Sequence, residues 1–414
     1  MTTPTTEPAV SVIVVSRGRP DALHRCLMGI EQLSYRPFEV VVVADPASIA
    51  AIADWTDSIK WVEYDVPNIS AARNIGARLS AGEILAYIDD DAVPEPSWLD
   101  HLMPPFRDPT VSIAGGFVLG RDGISYQYRA NQLDRAANHI VLRLEGDAPE
   151  VFDAPSEGAI KTEGTNFAIR RTVLSRVGGF DEAYRYYMDE TDLNMRLARA
   201  GARTAIVPLA LVHHGFAASD RRTEHSRSLT LFDIGASLGV FLRKHVPPQY
   251  HADQLEKMRR NQRFFQEKHR KAGRCTAADV ETVLQTLEDG LRAGQTMEFG
   301  GPVDLGEPPQ DMKRFGRAAR FKTSVLMRGR VWHRRRLKRE AARRVAQGER
   351  VTLILLEPTT RYLRVSFEQQ GFWLHSGGQF GRVGQGKREF TPTTLRSRVR
   401  QEIARVRSVR RFTG

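Results

Sequence analysis

Three consecutive carboxylates, Asp89-Asp90-Asp91, follow directly on the apolar run ILAYI. Carboxylates two apart in an extended chain point to the same side, so Asp89 and Asp91 can approach one hard cation. Such a cation would in turn hold the phosphates of a substrate, because Mg²⁺ pairs one or two carboxylates with phosphate oxygens. A solvated acidic turn is the simpler reading of the triplet alone; its place after a buried strand is what favours a site. Asp45 also follows an apolar run, FEVVVVA, and could accept hydrogen bonds from a base edge. Arg73 and Asn74 open a helical pattern and could meet phosphate or base. Asp189, Glu190 and Asp192 precede an amphipathic helix with Leu193, Leu197 and Ala200. Acidic first turns complement the helix dipole, but three carboxylates exceed that need, and one could serve as general base if burial raised its pKa. His213 and His214 end the apolar run TAIVPLALV, where a neutral imidazole could complete a metal site.

The elements that must position these groups alternate. VSVIVV (10–15), FEVVVVA (38–44) and ILAYI (84–88) are short apolar β-branched runs, the pattern of strands buried on both faces. Between them, Pro20 to Leu33 carries Leu23, Leu27 and Ile30 on one stripe, and Asn68 to Ser80 reads as a helix with Ser70 as its cap. Strands separated by helices imply βαβ units and a doubly wound α/β sheet, in which ligands sit beyond the carboxyl ends of the strands. Ser16, Asp45 and Asp89 to Asp91 all lie at such ends. Val111 to Leu119 reads as a further strand, residues 145–163 as a polar stretch, and residues 226–295 as helical.

Composition bounds the rest. The 414 residues suit two or three domains, and 41% hydrophobic residues can supply a core. Cys26 and Cys275, the two cysteines, exclude a disulfide scaffold and fit a reducing compartment. The opening MTTPTTEPAV lacks the basic start and apolar stretch of a signal peptide, and no segment approaches the ~18 apolar residues of a membrane span. The net charge of +12 is uneven: residues 311–414 carry +20, leaving −8 on residues 1–310. A basic extension of this kind calls for an anionic partner. We divide the chain into a catalytic unit (1–225), a helical extension (226–299), a Gly/Pro-rich linker (300–310) and a basic α+β region (311–414). Within the last, a basic helical pattern spans about 325–346, strand-like runs VTLILLE, RYLRVSFE and GFWLH follow, and Leu395 to Arg411 forms a basic amphipathic helix. That helix suits an anionic membrane surface, although packing on the protein body explains its pattern equally well. The expected location is cytoplasmic, with peripheral attachment to the inner face of the membrane.

The order VSVIVVSRGRPDAL, VVVADPAS, NISAARNIGARLSAGEILAYIDDDAVPEPSWL, GTNFAIRRTVLSRVGGFDE, MDETDLNMRLARAG and VHH closely resembles family 2 glycosyltransferases of GT-A fold, over residues 8–215. The resemblance implies a metal-dependent inverting transferase that uses a nucleotide-diphosphate sugar, with UDP- and dTDP-sugars favoured, and Mn²⁺ or Mg²⁺. It implies donor contacts from Val15, Ser16, Arg17, Asp45, Arg73, Asp89 and Asp90. It places the metal on Asp91 and Asp89 with His213, His214 being the alternative. It gives Gly164, Thr165, Asn166 and Asp192 to the acceptor side, and puts the base on Glu190 or Asp189. The acceptor would be a glycan, a lipid-linked glycan or a protein in envelope polysaccharide synthesis. This chain departs from the family pattern in keeping one Asp at 45, in writing Asp189-Glu190 in reversed order, and in carrying Gly18 within a basic Arg17-Gly18-Arg19. A competing view makes the front half a degenerate sugar-nucleotide fold that binds partners through its basic tail. Nucleic acid is a poor match, since aromatics are sparse in the basic segments. A nucleotidyltransferase is disfavoured because SRGRP lacks a Gly-rich, Lys-containing phosphate loop.

Overall fold

A computed structural model describes residues 7–215, 218–384 and 388–412. The expected strands form the centre of a ten-stranded mixed sheet. Its main path runs Lys60–Glu63, Phe38–Ala44, Val10–Ser16, Ile84–Asp89, Asn166–Arg170, Val111–Leu119, Arg203–His214 and Glu150–Phe152. The first four pair in parallel, and Asn166–Arg170 enters antiparallel between Ile84–Asp89 and Val111–Leu119. Alternation along the first strand feeds two cores. Val10, Val12 and Val14 pack with Leu23, Leu27 and Ile30 on one face; Ile13 and Val15 pack with Ala72, Leu193 and Leu197 on the other. Burial on both faces is why these runs carry no polar alternation. Asp89 ends its strand at the carboxyl edge, where the α/β rule puts ligands.

The expected cap of the helix Ile69–Leu79 moves by two residues. Asn68, not Ser70, is the cap, its side chain accepting from Ala71 N at 3.1 Å, while Ser70 Oγ donates to Tyr184 O. The amide is equally good at this job, and Asn68 sits where the chain is still extended.

Helices Phe232–His245, His251–Lys271 and Ala277–Thr296 follow. The first and third pack closely because Gly235, Gly239, Gly290 and Gly294 face the contact; a Cβ on Gly290 would lie 2.0 Å from Phe232 O. Residues 300–315 run along the body: Val303 N donates to Gly178 O, and Leu305 and Phe315 join the two cores.

The basic region folds into a four-stranded sheet, Thr323–Arg330, Glu349–Glu357, Trp373–Gly378 and Arg364–Phe367, parallel except for the last pair. The basic pattern at 325–346 is therefore not one helix. Its first part is the strand Thr323–Arg330 and its second the helix Arg334–Ala346. Val325 and Met327 alternate in the strand, which a helical reading overlooked. The helix Leu395–Arg410 forms as expected, but its apolar stripe is covered: Val406 and Val409 pack against Phe117, Leu119 and Leu211, and Val399 against Ile354 and Leu363. The stripe that suggested a membrane surface is spent on the protein body. Among the described residues, no helix is long and apolar enough to cross a membrane.

Candidate active site

The acidic triplet splits into two environments. Asp89 and Asp91 each offer a carboxylate oxygen to one point, and His214 offers a ring nitrogen to the same point; the three atoms lie within 4.8 Å of one another. Asp90 turns inward and is fully buried, accepting from Ser16 Oγ at 2.6 Å and pairing with Arg19 at 2.6 Å. Burial, opposed by Arg19, pushes the Asp90 carboxyl up to about 7. Burial also opposes ionisation of Asp91, but His214 at 3.1 Å, Arg19 at 3.3 Å and Arg222 at 3.0 Å override it and hold Asp91 well below the carboxylate range. Asp90 is thus a buried anchor for Arg19 and does not line the cavity where a donor contact was expected of it.

His213 and His214 face opposite ways, as neighbours on a strand must. The pairing of Val212, His213 and His214 with Pro94, Val93 and Ala92 fixes which goes where. His213 Nε2 lies 2.8 Å from Glu95 and its ring 4.5 Å from that of Trp373, away from the acidic cluster. Of the two histidines, His214 and not the expected His213 stands with the acidic pair. The two carboxylates suit Mn²⁺ or Mg²⁺, and the imidazole, a softer donor, favours Mn²⁺ of the two, so the residues present fit the cation that the resemblance implies.

The cluster sits between two cavities, of ≈ 180 and ≈ 370 Å³, whose linings share Ile69, Asp89, Tyr186 and His214. Val15, Ser16, Arg17, Arg19 and Arg222 line the smaller. Arg73, Lys161, Gly164, Thr165, Asp189 and Glu190 line the larger. Arg73 is buried at the junction, pairing with Asp189 and with Asp89 at 3.1 Å, and donating to Gly164 O at 2.9 Å. It is a strut between the two halves of the site.

The acidic pair also divides. Tyr187 and Met188 hold left-handed φ of 73° and 66° just before the helix Asp189–Arg199, a conformation costing of order 1–3 kcal/mol per residue that functional sites commonly retain. The turn sends Asp189 down onto Arg73 and leaves Glu190 facing the larger cavity. Burial, opposed by Arg73, pushes Asp189 up to about 7. Burial works against Glu190 too, but Lys161 at 3.2 Å and Arg73 hold it below its ordinary value. Lys161 bridges Glu190 to Glu163, at 2.8 Å. Thr165 Oγ1 is buried beside them with no hydrogen-bond partner among the described residues.

Three expected site residues lie elsewhere. Asp45 caps the helix Pro46–Ala50 through Ser48 N and Oγ, and accepts from Gly18 N at 2.7 Å, so its carboxylate is spent on holding the Arg17-Gly18-Arg19 loop. Gly18 has φ +65°, which explains the glycine in that loop. Asn166 knits strands together, donating to Phe117 O and Ala210 O and accepting from Trp98 Nε1. Asp192 faces the helix Phe232–His245, paired with His245 at 2.7 Å, Lys244 at 2.7 Å and Arg196 at 2.8 Å. Sequence reasoning in turn missed Lys161, Glu163 and Arg222. The Lys161–Glu163 spacing of two was a legible signal inside a segment read as a polar stretch; Arg222 gave none.

Residues 8–230 match the family model described as glycosyltransferase like family 2, just over half of the chain. The chain belongs to this family. Among curated proteins, it is 30% identical to the O-antigen biosynthesis protein RfbC of Myxococcus xanthus, over 50% of this chain and 17% of that protein. It is 28% identical to the pre-mycofactocin glycosyltransferase of Mycobacterium tuberculosis, over 52% of this chain and 43% of that protein. The chain thus spans less than half the length of either relative. Among solved structures, GalNAc-T7 with UDP, GalNAc and Mn²⁺ aligns at 19% identity and a TM-score of 0.41, over 50% of this chain and 43% of that one. The family match ends at residue 230, so the helices after it and the basic module lie outside the matched region.

Proposed function

We propose that the chain is a metal-dependent inverting glycosyltransferase, moving a sugar from a nucleotide-diphosphate donor to a hydroxyl of a glycan, lipid-linked glycan or protein. The observation that carries this reading is the Asp89–Asp91–His214 cluster at the junction of two cavities, with Glu190 in one and a basic lining in the other. The donor's diphosphate belongs in the smaller cavity, beside Arg19 and Arg222. Mn²⁺ or Mg²⁺ held by Asp89, Asp91 and His214 would supply Lewis-acid neutralisation of the departing diphosphate. Glu190, ionised because Lys161 and Arg73 favour its charge, accepts the proton of the acceptor hydroxyl. The acceptor oxygen forms its bond to the anomeric carbon as the carbon–oxygen bond to the diphosphate breaks, and that electron pair leaves on the diphosphate. General-base help of this kind contributes about 10²–10⁴-fold. The ion pair with Arg73 occupies the Asp189 carboxylate, which leaves Glu190 the acid open to the acceptor, and Arg73 also holds Gly164 O at the seam between donor and acceptor.

The stereochemical part is tested by proton NMR of the glycosylated product. An anomeric configuration opposite to that of the donor is expected; retention would require a different reaction course and remove Glu190 as base.

A further inference from the structure

The basic module contains a cavity of its own, ≈ 480 Å³, which shares no lining residue with the two cavities at the acidic cluster. Arg334, Lys338, Arg361 and Arg364 line it, with Tyr362 and a single carboxylate, Glu357. Glu357 ends the parallel strand Glu349–Glu357, and Ser376 and Gly377, also in the lining, lie at the end of its parallel neighbour Trp373–Gly378. The cavity therefore sits at the carboxyl edge of a small parallel sheet, the edge at which open α/β sheets take ligands. Its charge is unbalanced. Arg361 reaches Glu357 at 3.3 Å, and Lys338 is drawn to Glu368 at 2.7 Å. Arg334 and Arg364 make no ion pair or side-chain hydrogen bond among the described residues. With Glu357 and Glu368 each matched to one cation, two of the four positive charges are left over for an anion, and guanidinium groups match phosphate oxygens two at a time.

We propose that this cavity binds a phosphate-bearing ligand, a diphosphate or sugar-phosphate head group, either free in solution or displayed by a lipid. The volume exceeds what one phosphate fills, and the Tyr362 ring and Ser376 offer neutral contacts to what the phosphate carries. The site uses residues outside the matched family region, so it stands or falls independently of the transfer reaction. It also gives part of the positive charge of residues 311–414 a local use.

The test uses the full chain in EDTA, which silences cation-assisted binding at the acidic cluster. Inorganic pyrophosphate is titrated by calorimetry, and in a second arm the protein is sedimented with phosphatidylglycerol or phosphatidylcholine vesicles. The cavity variant is Arg334→Glu with Arg364→Glu. A charge-matched control, Arg335→Glu with Arg339→Glu, changes exposed positions of the same helix outside the lining. All four residues are exposed, and circular dichroism melts check that both variants fold. The expected result is binding by the wild type and the control, weakened at least about tenfold in the cavity variant, the scale of one charged hydrogen bond. Pyrophosphate binding without vesicle binding assigns a soluble ligand, and selective phosphatidylglycerol binding assigns a lipid head group. Absence of binding in both arms, or equal weakening in the two variants, overturns the proposal, the latter because it marks diffuse charge.

Discussion

Arg410, four residues from the end of the chain, closes a two-pronged ion pair on Glu95, with both prongs at 2.7 Å and both side chains at most 2% exposed. Glu95 also holds His213, the neighbour of His214 in the acidic cluster, and the Arg410 guanidinium lies 4.2 Å from the centre of the Trp373 ring. The pair ties the basic module to the catalytic half at a point one residue from the candidate metal site.

Arg410→Met leaves the Glu95 charge buried without its partner, so we expect a loss of about 3–5 kcal/mol. Adding Glu95→Gln removes the stranded charge and should recover most of that loss. Denaturant unfolding of the three proteins checks it. Arg410 and His213 hold Glu95 well below its ordinary value against the effect of burial. A depressed carboxyl contributes stability that is present above its unfolded pKa, about 4.3, and is lost only as pH falls toward the lower folded value. In Arg410→Met the buried carboxyl loses the cation that opposed desolvation and its pKa rises, so protonation near pH 5 relieves the stranded charge and the cost should be smaller at pH 5 than at pH 7.

The two histidines should behave as opposites. His214→Ala should abolish Mn²⁺-dependent nucleotide binding with little change in melting temperature. His213→Ala should lower the melting temperature while leaving nucleotide binding within a few-fold of wild type. Calorimetry and thermal melts separate them, and the reverse pattern would return the metal position to His213.

That division marks where the sequence stopped being legible. The doubly wound sheet could be read because each central strand is an unbroken β-branched run, a pattern set by burial on both faces. The acidic triplet could be read because it follows such a run. The choice between His213 and His214 could not, since it depends on the register against residues 92–94, a contact more than a hundred residues away. Asp45, Asn166 and Asp192 have site-like chemistry, and only their partners show that it is spent on capping and packing. Lys161 was hidden because a three-residue strand carries too little periodicity to stand out from a polar loop. The stripe of Leu395–Arg410 was read correctly as amphipathic, but amphipathicity alone does not say whether protein or lipid covers it.

Lys161 should set the pH profile of transfer. Its ammonium favours ionised Glu190, so Lys161→Met should raise the Glu190 pKa and move the acid limb of kcat/KM to higher pH. The Glu190 charge also raises Asp189, so the limb carries a contribution from both acids. A limb that moves down, or stays in place, would place the base elsewhere.

The central claim is metal-dependent sugar transfer, and nucleotide release tests it most directly. Purified protein is incubated with UDP-, dTDP- and GDP-sugars and Mn²⁺, with mass-spectrometric detection of the freed nucleoside diphosphate. The account predicts release from one donor that EDTA abolishes, that Asp91→Asn eliminates, and that Glu190→Gln slows by about 10²–10⁴-fold. Release that is indifferent to EDTA and to both substitutions would contradict it, as would a complete lack of metal-dependent nucleotide binding across the panel.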